Sequence, residues 1–250
     1  MLWLTLALAV VVGVALGLFG GGGSILTVPL LIYVTGLDTK EAIATSLVVV
    51  GATAIGALVT HARARRVEWR TGLIFGSTAM VGAYAGGLVG PKVPDLVLLV
   101  GFALMMLATA VAMIRGRKAQ PPSEERKQSP VLLILVEGVI VGLVTGIVGA
   151  GGGFLVVPAL VLLGGLPMAT AVGTSLLVIA LKSFAALAGY LTAVQIDWGL
   201  AASVTALALV GSVLGGWLAG RIDPDRLRKS FGIFVLGMAI FVLVQTGLSA

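Results

Sequence analysis

Lys182 and Glu137 are the two charged residues that stand inside otherwise apolar stretches of this chain. A charge in such a place is costly, which makes each a functional candidate by default. Lys182 suits the attraction of an anion, and Glu137 suits the binding and release of a proton. The alternative is a structural ion pair between them. Glycine supplies a second feature. Gly20 runs on through Gly21, Gly22 and Gly23 to Ser24, and Gly149-Ala150 runs on through Gly151, Gly152 and Gly153 to Phe154. A helix that starts just past such a turn presents free N–H groups and the positive end of its dipole, a setting for an anion. The plainer reading is that these glycines let helices pack closely. A nucleotide-binding G-x-x-x-x-G-K-[ST] loop is excluded, because no lysine follows either run. Hydroxyls form the third feature. Ser46, Thr53 and Thr60 are spaced by seven and share a helix face; Ser175, Lys182 and Gly189 share the corresponding face further on. Ser46 and Ser175 read as facing a cavity. Thr45 and Thr174 stand open between that role and hydrogen bonding between helices.

These residues have to be positioned by something other than a soluble core. The chain has 250 residues, of which 59% are hydrophobic and 10% charged. Its mean hydropathy is +1.16. Too few charges are present to cover a water-exposed surface, so the composition excludes a soluble globular enzyme. The 36 glycines are about twice the usual share of ~7%, in the company of Val, Leu and Ala. That combination points to a polytopic helical membrane protein packed through small residues. The absence of cysteine excludes disulfides and thiolate chemistry. With one histidine and no close carboxylate pair, the usual catalytic constellations of an intramembrane enzyme are missing too. No cofactor is implied.

Apolar segments occupy 2–35, 42–60, 71–90, 96–114, 131–164, 170–189, 199–219 and 231–248. Six approach the ~20 residues of a spanning helix. The first and fifth are longer and carry the glycine runs, followed by Pro29 and Pro158. Each therefore predicts a helical hairpin broken at its glycines. All of the Lys and Arg residues except Lys40, Lys92 and Lys182 fall within 61–70, 115–130 and 221–229. By the positive-inside rule these three stretches are cytoplasmic, which places both termini on the extracytoplasmic side. The same placement argues against nucleic acid as a partner, since no basic surface with interleaved aromatics exists. His61 opens the first arginine loop and reads as an interfacial residue rather than a proton carrier. Trp69 and Trp198 fit interfacial anchors.

The halves repeat at a constant offset of 129 residues. Gly13 matches Gly142, Gly17 matches Gly146, and Pro29 matches Pro158. Thr45-Ser46-Leu47 matches Thr174-Ser175-Leu176, and Trp69 matches Trp198. Gly82 and Gly86 match Gly211 and Gly215, each pair a G-x-x-x-G packing face. Matched loops differ in charge: 61–70 carries four arginines, while 190–198 has no basic residue. The expectation is thus an all-α membrane protein of two inverted-topology repeats, residues 1–114 and 131–250, joined by a hydrophilic cytoplasmic linker at 115–130.

The stretches GLFGGGGSILTVPLL (17–31) with ATSL (44–47), and GIVGAGGGFLVVPAL (146–160) with GTSL (173–176), resemble the sulfite exporter TauE/SafE family across essentially the whole chain. The resemblance implies a carrier in a bacterial cytoplasmic membrane, without an ATPase subunit, for sulfite or an organosulfonate such as sulfoacetate. It implies a proton or sodium gradient as the drive. The residues then suggest that amides of 21–24 and 151–154 hold the anion, with Ser46, Ser175 and Lys182 beside them, and that rocking of the repeats alternates access. A passive anion channel and a permease subunit of a larger assembly are the alternatives. Oligomeric state and exact substrate stay open.

Overall fold

The computed structural model describes residues 2–21, 23–115, 131–149, 153–163 and 165–249. Within them the apolar segments fold into ten α-helices: α1 (Leu2–Phe19), α2 (Ser24–Tyr33), α3 (Thr39–Arg63), α4 (Trp69–Val89), α5 (Asp95–Arg115), α6 (Val131–Val148), α7 (Gly153–Pro158), α8 (Met168–Tyr190), α9 (Trp198–Ala219) and α10 (Pro224–Ser249). Six of these are long and apolar enough to cross a membrane: α3, α4, α5, α8, α9 and α10. The two long apolar segments break where the glycines predict. Gly20 (φ +65) ends α1 and Gly149 (φ +69) ends α6. Both are left-handed, a conformation that favours glycine as a helix stop. Pro158 closes α7, and the chain continues as a π-helical turn over Ala159–Leu163. Linker residues 116–130 lie outside the described residues.

One boundary differs from expectation. The last helix starts at Pro224, seven residues before the apolar run at 231. Asp223 accepts hydrogen bonds from the Asp225 and Arg226 N–H groups at 3.0 and 3.2 Å, which caps the helix, and proline is favoured at its first position. Arg226, Arg228 and Lys229 therefore ride on the first turns of α10 rather than in a loop.

The helices α3 and α8 form the centre, with 67% and 78% of their apolar windows buried, against 33–44% for the other four spans. These two occupy equivalent places in the repeat, yet they run antiparallel. A Cβ built on Gly51 of α3 would lie 3.3 Å from the Ser183 Cβ of α8, whereas one on Gly173 would lie 3.3 Å from the His61 Cβ. Around them the first helix of each half packs on the other half. A Cβ on Gly13 of α1 would fall 2.0 Å from the Ala208 carbonyl of α9, and one on Gly142 of α6 would fall 2.1 Å from the Ala79 carbonyl of α4. Both contacts need glycine, and each is the other displaced by the repeat offset. Large apolar side chains such as Val81, Leu104, Val210 and Ile233 are exposed on the outer helices. Such a surface suits a hydrocarbon surround.

Candidate functional site

The two glycine breaks meet at the centre. A Cβ on Gly21 would lie 2.0 Å from the Gly153 Cα, and one on Gly153 would lie 2.2 Å from the Gly21 Cα, so not even a methyl group fits between the backbones. Gly22, Gly151 and Gly152, which belong to the predicted anion cradle, lie outside the described residues. Ser24 is buried, and its hydroxyl donates to the Gly21 carbonyl at 2.6 Å, tightening the turn that opens α2. Phe154 is buried with its ring 5.7 Å from that of Phe102, so only its backbone could serve an anion.

The central helices clamp the breaks crosswise. The Ser46 hydroxyl on α3 donates to Ile43 O at 2.7 Å and to Gly149 O of the opposite break at 2.8 Å. Ser175 on α8 donates to Val172 O at 2.8 Å, and a Cβ on Gly20 would come within 2.7 Å of its Oγ. Each serine thus seats against the left-handed glycine of the other half. Both protons already have carbonyl acceptors, so binding an anion through them requires a change of partner. Thr174 accepts the Glu68 N–H at 2.9 Å, a bond that holds the loop between α3 and α4 over the start of α8. The Thr45 hydroxyl is buried and has no partner. Thr53 and Thr60 donate to carbonyls of their own helix.

Lys182 is 1% exposed and donates to the Thr145 hydroxyl of α6 at 2.9 Å. An ammonium has three N–H groups and no acceptor. Thr145 is one helical turn before Gly149, whose N–H bonds to the Thr145 carbonyl at 2.9 Å. The charge is therefore poised beside the second break. Glu137 is elsewhere. It lies eight residues back along α6, about 12 Å at 1.5 Å per residue, and is partly exposed. Among the described residues the ion pairs are Lys40–Asp95 and Arg228–Asp225, and neither involves Lys182 or Glu137.

Two contributors escaped the sequence reading. Thr145 faces Lys182 but has Leu16 as its repeat partner, so the offset hides it. His61 is enclosed: it is 1% exposed, because the last turn of α3 packs against α1, α8 and α9. Its Nε2–H donates to the Gly17 carbonyl at 3.1 Å. The residue matched to it by the repeat, Tyr190, donates its hydroxyl to the Ile147 carbonyl at 2.5 Å. Both secure the last turn of a helix that ends in a glycine break, where carbonyls lose their intrahelical partners.

Long apolar spans and broken hairpins define a multi-pass helical membrane protein. The sequence profile described as "Sulfite exporter TauE/SafE" matches residues 5–242. A "Probable membrane transporter protein" of Xylella fastidiosa is 36% identical over 237 residues, covering 93% of this chain and 91% of the relative. "Probable membrane transporter protein MJ0441" of Methanocaldococcus jannaschii is 30% identical over 263 residues, 96% of each chain. "Probable membrane transporter protein YunE" of Bacillus subtilis is 27% identical, covering 96% of this chain and 93% of its own. No solved structure matches. The chain belongs to the TauE/SafE sulfite exporter family and is a membrane transporter.

Proposed function

We propose that this protein is a secondary carrier that moves a small sulfur-containing anion, sulfite or an organosulfonate such as sulfoacetate, across a bacterial cytoplasmic membrane. The observation that carries the reading is Lys182. Its ammonium is enclosed, and no carboxylate pairs with it among the described residues. A buried lysine keeps its charge only beside a negative partner, and a bound anion supplies one. The family membership supports the sulfur-containing class.

In this proposal the anion binds beside the second break, between Lys182 and the amides that follow the glycines, while Ser46 and Ser175 exchange carbonyl for anion as the breaks part. Residues 1–114 and 131–250 act as two inverted repeats that rock against each other, with the linker 115–130 on the cytoplasmic side and both termini outside. The antiparallel run of α3 and α8 supports the inversion. The backbone contact between Gly21 and Gly153 supports a carrier with a closed barrier over a permanently open channel.

Purified protein in liposomes is expected to take up sulfoacetate or sulfite unaided. Lys182→Met should lower that uptake by about tenfold or more, the effect of losing roughly 1.4 kcal/mol of binding, with amount and folding preserved. Unchanged uptake in the variant removes Lys182 from the site.

A further inference from the structure

We propose that His61 is the residue through which this transporter senses a proton, by latching the first glycine break only while its imidazole is neutral. This gives the transport reading above a coupling group, and it assigns that role to His61 in place of Glu137. Glu137 is remote from the breaks, whereas His61 touches one of them.

The geometry fixes the hydrogen. The Gly17 carbonyl can only accept, so the 3.1 Å bond puts the hydrogen on Nε2. Nδ1 is then bare in the neutral ring. It is fully enclosed and has no hydrogen-bond partner. A second proton, on Nδ1, would make an enclosed imidazolium with an N–H that meets no acceptor. Such a group is expensive to bury. Among the described residues no carboxylate pairs with it to offset the cost. Helix α1 carries no titratable side chain, and neither does α9. On α8 the one charged group is Lys182, nine residues beyond Gly173 and turned to Thr145 of α6. From the loop after α3 the group facing the ring is Arg66, a like charge; its N–H bonds to the His61 carbonyl at 3.0 Å, and its guanidinium lies against Gly220.

The protonated ring therefore belongs to an arrangement in which it has left the Gly17 carbonyl and reached water. Proton binding and release of the latch become one linked equilibrium. The latch is closed above the ordinary imidazole pKa of about 6.5, and acidification weakens it. Tyr190 holds the matching end of α6 with a phenol that stays neutral over the same range. Only one of the two breaks is thus proton-sensitive. A gradient across the membrane then biases one half of the cycle.

The test needs no substrate, so it stands apart from the uptake assay. Amide hydrogen exchange is followed in the full-length protein in nanodiscs at about pH 8 and about pH 6, corrected for the intrinsic dependence of exchange on pH. Expected is a loss of protection of about fourfold at residues 14–21 on acidification, the limit when the freed imidazole titrates near 6.5 and the latched one stays neutral. Residues 143–149, held by Tyr190, should not change. His61→Gln keeps an N–H donor without titrating, and should abolish the acid effect while preserving protection at the higher pH. Glu137→Gln should behave as the parent protein. His61→Asn serves as a second non-titrating variant if the Gln form does not fold. Acid loosening that persists in a folded His61 variant, or that strikes both breaks alike, or that is absent from the parent protein, overturns the proposal. Absence of anion uptake with the acid effect intact counts against the transport reading alone.

Discussion

Ser46 and Ser175 occupy matched positions but do unequal work. Ser46 bridges to the opposite break at Gly149, while Ser175 bonds within its own helix and packs on Gly20. Replacing Ser46 with Ala leaves the enclosed Gly149 carbonyl without that donor, at a cost of about 1 kcal/mol. Ser175→Ala should cost less, since its acceptor is also an intrahelical carbonyl. Thermal unfolding of both variants in detergent checks the order, and a larger loss for Ser175→Ala contradicts it. At this scale the sequence speaks unevenly. Lys182 is legible because a charge inside an apolar run is rare. Its partner Thr145 is not, because a lone threonine among Val and Leu has no distinguishing neighbour. His61 reads as part of the arginine loop because the arginines are its nearest neighbours along the chain. Its burial comes from α1, α8 and α9, which sequence proximity does not reveal.

Glycine on these helices has two kinds of position, and they make opposite demands. At Gly142 a Cβ would sit 2.1 Å from the Ala79 carbonyl, a backbone atom that cannot turn away. Gly142→Ala should push α6 from α4 and cost about 1–3 kcal/mol. Around Gly237 of α10, a Cβ meets nothing within 4 Å. Gly237→Ala should be neutral or stabilising by up to about 1 kcal/mol, the helix propensity of alanine. Unfolding temperatures of the two variants should move apart; a shared shift would mean that the close approach is not rigid. The helices themselves follow from apolar length, and the two hairpin breaks from glycine runs that no helix sustains. The start of α10 does not follow, since a capped, charged first turn looks like loop to any reading of apolar runs. Its signal is local: Asp223 followed by proline.

Over the molecule as a whole, the contacts recur at the repeat offset with the halves exchanged. The matched central helices α3 and α8 run in opposite directions. Ala64 and Ala193 are equivalent exposed positions just past the ends of these helices. The native chain has no cysteine, so a single one at either place is the sole label site. Under the inverted arrangement, Ala64→Cys should react with a membrane-impermeant maleimide from the cytoplasmic side and Ala193→Cys from the other. Labelling of both from one side rules the inversion out. The crossed packing also shapes how the molecule is made. Gly13 of α1 is covered by Ala208 of α9, which is synthesised nearly two hundred residues later. At about 5–20 residues per second, α1 waits roughly ten to forty seconds in the bilayer with its glycine face uncovered. Assembly of the first half is thus completed by the second, and a ribosome that stops midway leaves a nascent chain with its packing seam open to lipid and to quality control.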